Sequence, residues 1–172
     1  MNGYTIWFTG LSGSGKTTIA EELAKVLREN HVDVVLLDGD IVRQNLSKDL
    51  GYTKEERDIH ITRVANVCYL IGTNDVLNIA CVLSPTRKIR RYARNKIKNF
   101  IEVYVKCHIE TCIKRDVKGH YKKAKEGKLK NFVGIDIQYE EPEKPEIIIN
   151  TDKESIKEGV DKILDFLTEV YT

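Results

Sequence analysis

Proline is scarce in this chain, three residues in 172, and no stretch is of low complexity. That excludes the proline- or glycine-rich linkers that separate domains, and no internal repeat suggests a solenoid. A single domain over residues 1–172 is expected, because this length supports one compact α/β unit but hardly two. No apolar run approaches the roughly 20 residues that a membrane span requires, and no long apolar core follows Met1 as in a secretory signal. The four cysteines, Cys68, Cys81, Cys107 and Cys112, include no CxxC pair. They read as buried reduced thiols rather than as zinc ligands or disulfides. A cytoplasmic protein with no membrane partner is expected. An excess of one charge is also missing: 28 basic against 26 acidic side chains leave +2, too little by itself for a nucleic-acid surface. No nucleic-acid partner is expected. The basic residues do cluster, seven within residues 87–98 and a second group within 115–130, as on a solvated helix face or a phosphate-binding one.

What is present is alternation. Residues 4–9 are a short β-rich apolar run, and residues 16–30 place Ile19, Leu23, Val26 and Leu27 on one helical face. Residues 32–37 are nearly continuous in Val and Leu, as suits a strand covered on both faces. Further strands are read at 76–83, 100–105 and 147–149. Further helices are read at 57–72, 87–98 and 110–114, with a last one carrying Ile156, Val160, Ile163, Leu164 and Leu167. This βαβα order predicts a P-loop-type three-layer sandwich, a five-stranded parallel sheet with helices on both faces. Residues 116–145 break the rhythm, rich in Lys, Gly and Tyr without apolar periodicity. A segment of that length inside a compact domain reads as a lid.

Residues 10–17 (GLSGSGKT) match GxxxxGK[ST] in full and sit between a predicted strand and a predicted helix, the context the motif needs. Its glycines allow a tight turn that aims backbone N–H groups at a phosphate chain, and the helix dipole adds to the attraction. Gly10, Ser12, Gly13, Ser14, Gly15, Lys16, Thr17 and Thr18 are therefore the expected ATP-phosphate cradle. Lys16 would reach the β- and γ-phosphates, and Thr17 would offer a hydroxyl to Mg²⁺. Asp38-Gly39-Asp40 closes the second strand at the carboxyl edge, where open α/β sheets place ligands. Carboxylates there suit Mg²⁺ or the proton of an attacking hydroxyl. Arg43 and Arg57 follow, and two guanidiniums near a phosphate site fit an anionic co-substrate.

Residues 10–17, 37–40 (LDGD), Arg43, 50–52 (LGY), Arg57, Arg63, Ser84-Pro85 and Arg87 come in the order seen in adenylyl-sulfate kinases. So do 100–105 (FIEVYV), 115–119 (RDVKG), 121–124 (YKKA), 132–136 (FVGID) and 139–142 (YEEP). The chain resembles that family from about residue 4 to 151. The resemblance implies transfer of the γ-phosphate of ATP to the 3′-hydroxyl of adenosine 5′-phosphosulfate (APS), with ATP and Mg²⁺ as cofactors and a homodimer as assembly. It implies Asp40 as base or orienting group and Asp38 beside the metal, with Arg43 and Arg57 gripping the anionic end of the acceptor. Tyr52 and Phe132 would sandwich the acceptor base, a physically sensible clamp for a planar group. Leu83, Lys122 and Ile135 would line the same site, Arg115 would lie by the adenine of ATP, and Lys118 would reach the phosphates. Ser84 corresponds to a serine described in the family as a phosphorylated intermediate. In-line transfer between two bound substrates needs no covalent step, so a hydrogen bond from Ser84 to acceptor or phosphate is expected instead.

The pattern departs from the family on the acceptor side. Residues 57–63 read RDIHITR where the family usually has RxxNIRR, so His60 replaces an asparagine and Thr62 an arginine. Tyr52 stands where phenylalanine is commoner, and Thr86 where an aromatic or histidine is frequent. His60, unlike asparagine, would titrate near neutral pH. These changes leave two acceptors open, APS or a cytidine diphosphate derivative such as cytidine diphosphoramidate. A shikimate- or gluconate-type kinase and a non-enzymatic nucleotide-binding module are the alternatives from other classes. Against them stand the Tyr52/Phe132 pair and the intact set of Lys16, Asp38 and Asp40.

Overall fold

The computed structural model describes residues 3–171. Its elements in chain order are β1 (Thr5–Thr9), α1 (Lys16–Glu29), β2 (Val34–Asp38), α2 (Gly39–Leu46), α3 (Lys54–Gly72), β3 (Leu77–Cys81) and α4 (Arg87–Lys96). They continue with β4 (Phe100–Lys106), α5 (Ile109–Arg115), α6 (His120–Lys125), β5 (Ile147–Asn150) and α7 (Ile156–Tyr171). The five strands form one parallel sheet in the order β2-β3-β1-β4-β5. One face is covered by α1 and α7, which bury Ile19, Leu23, Val160 and Ile163 against Ile6, Phe8 and Val103. The other is covered by α3 and α4, which enclose Trp7 and Ala80 with Val64, Cys68, Ile89 and Ala93. The expected three-layer sandwich is what the chain builds.

Three local expectations need correction. The Val/Leu run of β2 forms an edge strand, only half-covered, because β3 lies on one side of it and no described strand pairs on the other. The third helix begins at Lys54 rather than 57. Its start is fixed by a capping box: Thr53 Oγ1 accepts the Glu56 N–H at 3.2 Å, and Glu56 Oε2 accepts the Thr53 N–H at 3.0 Å. The segment 116–145 is not featureless. It contains α6, and it has a small core of its own in which Tyr121, Ala124 and Phe132 pack on Cys107 and Cys112.

The sheet order matters for function. It puts the carboxyl ends of β1, β2 and β3 side by side, so the loops that leave them open onto one cleft.

Candidate active site

That cleft is a cavity of about 840 Å³, within the range of nucleotide-sized sites. One wall comes from the loop after β1 and the start of α1, with Ser12, Gly13, Gly15, Lys16, Thr17 and Thr18. Gly10 leaves β1 at φ +148°, and a Cβ there would lie 2.4 Å from the Val105 carbonyl, so only glycine lets the loop pass β4. Lys16 is folded onto its own loop, Nζ donating to the Gly10 and Leu11 carbonyls at 2.9 and 2.7 Å. Burial lowers its pKa, and an anion placed beside it would favour the charged form again. Arg115 at the end of α5 closes the wall, donating to the Gly13 carbonyl at 3.3 Å and to the Thr151 carbonyl at 2.8 Å.

The opposite wall starts at the end of β2. Asp38 caps α2, its Oδ1 accepting the Asp40 and Ile41 N–H groups at 2.9 and 3.1 Å, a bond set worth about 1 kcal/mol. Gly39 is required between the two acids, because a Cβ would meet the Cys81 carbonyl at 2.8 Å. Asp40 faces the cavity and is ion-paired to Lys118, which arrives from the segment after α5. The pair raises the Lys118 pKa.

The loop between α2 and α3 then brings in Tyr52, held because Glu56 Oε1 accepts the Gly51 N–H at 2.8 Å. Arg43 and Arg57 lie over the Tyr52 ring at 4.3 and 5.2 Å from its centroid. Burial and the neighbouring Arg43 both push the Arg57 pKa down, so this corner is short of negative charge. Arg57 also donates to the Asn131 carbonyl at 2.7 Å, tying the corner to Phe132 across the cleft. Phe132 packs edge-on against Tyr121 at 4.9 Å.

The structure thus gathers most of the residues expected from the sequence, but not all in the expected way. Lys122 and Ile135 are not on the cavity wall. Tyr121 and Ala124 form the inward face of α6, which turns the intervening Lys122 outward, and Ile135 sits exposed in the turn after Phe132. Gly10 and Ser14 support the loop from behind, Ser14 fully buried. Ser84 borders the cavity, yet its hydroxyl points inward, donating to Thr9 Oγ1 at 2.9 Å and accepting from Trp7 Nε1 at 3.2 Å. Its one proton is therefore committed to the core rather than to an acceptor or phosphate. His60 does border the cavity, but the expectation of titration near neutral pH fails. Burial first, then Arg43, Arg63 and Arg57, pull its pKa down to about 4, and Nδ1 bonds Ser47 Oγ at 2.9 Å.

Thr151, Glu154, Ser155 and Ile156 complete the wall beside Arg115. Sequence reading passed over them, although their position after the last strand is a usable signal in a parallel sheet. Tyr121, whose hydroxyl donates to the Ser12 carbonyl at 2.9 Å, was also missed.

A magnesium ion fits the residues present. Thr17 and Asp38 offer one hydroxyl and one carboxylate on a shared cavity, and no cluster of three His, Cys, Asp or Glu that could cage a metal occurs among the described residues. Mg²⁺ is commonly held in this way, by one or two protein oxygens, substrate phosphates and water.

Comparison with known proteins points to one family. The family model described as adenylylsulphate kinase matches residues 2–150. The adenylyl-sulfate kinase of Halothermothrix orenii is 49% identical over 167 residues, covering 97% of this chain and 90% of that protein. The solved structure of the Mycobacterium tuberculosis APS kinase CysC in complex with AMPPNP and APS matches with a TM-score of 0.93. It is 34% identical and covers 97% of this chain and 98% of that one. A gluconokinase from Sinorhizobium meliloti, 17% identical with a TM-score of 0.62, shares the fold alone.

Proposed function

This chain belongs to the adenylylsulphate kinase family, and from that premise we propose how its residues carry out the reaction. It is a phosphotransferase that moves the γ-phosphate of ATP to the 3′-hydroxyl of APS, giving 3′-phosphoadenosine 5′-phosphosulfate. The observation that carries the residue assignment is the facing of two walls across one cavity. Lys16 and Thr17 stand on one side, and Asp40, Arg43, Arg57 and Tyr52 on the other.

The residues of the first wall bind the donor. Lys16 trades the carbonyls of Gly10 and Leu11 for phosphate oxygens, and Gly13, Gly15 and Thr18 surround them. Arg115 borders the adenine, with Thr151 and Ile156 beside it. Thr17 and Asp38 would hold Mg²⁺, which neutralises phosphate charge.

On the second wall, Tyr52 and Phe132 hold the acceptor base, while Arg43 and Arg57 supply the positive charge that a phosphosulfate needs. Asp40 takes the proton of the attacking hydroxyl. Lys118, its partner across the cleft, is released to the transferring phosphate. Ser84 shapes the wall through its backbone rather than forming a covalent intermediate. Tyr121 and its neighbours cover the donor and exclude water, which would otherwise accept the phosphate.

The assay is ADP release from Mg²⁺-ATP with APS, cytidine diphosphoramidate or gluconate supplied separately, with products identified by phosphorus NMR. Turnover of APS is expected. Turnover of the cytidine compound with none of APS would overturn the acceptor assignment and make His60 and Thr62 its cause.

The assembly we infer is a homodimer. Support comes from Ile59 and Leu70, exposed 11 positions apart on one face of α3, and light scattering on the purified chain tests it. A cytoplasmic location is part of the same reading. The four free, buried cysteines suit a reducing compartment, and no described helix is long and apolar enough to cross a membrane.

A further inference from the structure

The basic helix α4 has four arginines, and Arg90 alone among them is buried, 3% exposed. Its guanidinium reaches three separate parts of the fold. Nε lies 3.0 Å from Glu102 Oε1 on β4. Nη1 donates to the Ser84 carbonyl at 2.6 Å, in the turn that follows β3. Nη2 donates to the Glu140 carbonyl, in the stretch that returns from the lid. The neighbouring Tyr139 ring lies 5.4 Å from the guanidinium carbon.

The turn gripped in this way is unusual. Ser84 holds φ +36°, in the left-handed region that a serine seldom occupies. Such a conformation persists only where its surroundings impose it. Here they do so from both sides. Thr9 Oγ1 gives its proton to the Leu83 carbonyl at 2.9 Å. It then accepts from Ser84 Oγ at 2.9 Å, and the Tyr139 hydroxyl at 2.9 Å is left to donate to it as well. The Glu140 N–H donates to the Pro85 carbonyl at 2.9 Å, and the Arg87 N–H to Glu140 Oε2 at 2.7 Å. Leu83, Ser84 and Pro85 are themselves cavity wall.

Resting on the kinase reading above, we infer that Arg90 is a positioning residue for the acceptor half of the site. It touches neither substrate. It locks the 83–85 turn and the lid's return stretch together, so that the acceptor wall keeps one shape. A buried ion pair is a poor source of stability, since apolar side chains of similar volume often replace one at no loss. What the apolar side chain cannot copy is a rigid planar fork with donors aimed in several directions. The donor wall, built from the loop after β1, α5 and the residues after β5, receives no bond from Arg90. Its loss should therefore be felt on one substrate only.

The test uses the full chain with Arg90→Met and Tyr139→Phe, the latter removing a single hydroxyl. Initial rates give KM for APS and for ATP separately. Trp7, the sole tryptophan, reports on the turn without turnover, because its Nε1–H bonds Ser84 Oγ. Arg90→Met is expected to raise the KM for APS at least tenfold, leave that for ATP within twofold, and shift the Trp7 emission. Tyr139→Phe should raise the APS KM alone, by a smaller factor. If Arg90→Met does not fold, Arg90→Lys, which keeps the charge but loses the planar fork, decides by the same criterion. Equal rises in both KM values, or no change in the APS value, would overturn the inference. A wild-type chain inert toward APS, with Arg90→Met still shifting Trp7 emission, would refute the kinase reading and leave the hold on the turn standing.

Discussion

Asp40→Asn separates catalysis from stability in this protein, and the structure sets the size of both effects. Asp40 and Lys118 form an ion pair across the cleft, but their side chains are 63% and 57% exposed. A pair so open to water contributes at most about 1 kcal/mol. Nor does Asp40 hold α2 in place, since the cap is Asp38. At about 2–4 °C per kcal/mol for a chain of this size, Tm should fall by less than about 4 °C. Asparagine keeps the shape and can still accept a hydrogen bond from the acceptor hydroxyl, but it cannot take the proton. Loss of a positioned general base typically removes 10²–10⁴ of rate, about 2.7–5.4 kcal/mol in the barrier. The assay couples ADP release to an optical readout at saturating Mg²⁺-ATP and APS, with calorimetry on the same sample. The KM for ATP should stay within twofold, because no bond of Asp40 reaches the Lys16 side of the cleft except through Lys118. A variant that keeps more than a third of the wild-type kcat would refute Asp40 as the proton acceptor. A variant that loses activity only because Tm collapses would refute the account of its exposure.

Other predictions concern the same two walls. His60 has its pKa drawn down to about 4, below the ordinary value of about 6.5, so the unfolded chain binds the extra proton in that interval. Its contribution to stability is whole above pH 6.5 and fades as pH falls toward 4. Thermal melts should therefore show a smaller acid-side loss for His60→Asn than for wild type over that window, and equal losses would disprove it. Ser84→Ala should keep at least a tenth of kcat, because the hydroxyl is turned into the core; complete inactivation of a folded variant would restore a covalent role. The same change strands the Trp7 N–H, a buried donor whose loss of partner costs about 1–3 kcal/mol, visible as a lowered midpoint in urea. Gly39→Ala forces a Cβ to within 2.8 Å of the Cys81 carbonyl, so it should displace Asp38 and Asp40. Phosphoryl transfer should drop at least tenfold while binding of an ATP analogue, followed by calorimetry, survives. Unchanged turnover would show that the strand end yields freely.

The donor wall was readable because its chemistry is contiguous. Eight residues, 10–17, form the loop, and the glycines reveal its curvature. Asp38 and Asp40 were readable for a related reason, as acids at the end of an apolar run. Helix α2 was hidden in the same place. Gly39 and Asp40 look like a turn, and only Val42 of its eight residues is buried, too little to show a period. In β2 the unbroken Val34–Leu37 stretch concealed an edge, because composition records apolarity and not which neighbour is missing. Ser84 was misjudged because its hydrogen-bond partners Thr9 and Trp7 lie 75 and 77 positions away. The Thr9–Tyr139 contact spans 130. Side-chain networks assembled over such distances leave no local pattern. His60 was misread for the opposite reason, since a histidine's ordinary pKa is known but its burial behind Ser47 is not.

The strand order carries a consequence for how such enzymes diverge. Phe8 on β1 and Asp38 on β2 are both in register with Cys81, so one strand always stands between the loop that holds ATP and the acids that face the acceptor. Two strand spacings, about 10 Å, thus separate the two chemistries by construction. Mutation can rework the loop at Tyr52 and the start of α3 without touching the loop after β1. The separation lets the acceptor loop change one residue at a time while the phosphate loop keeps its shape.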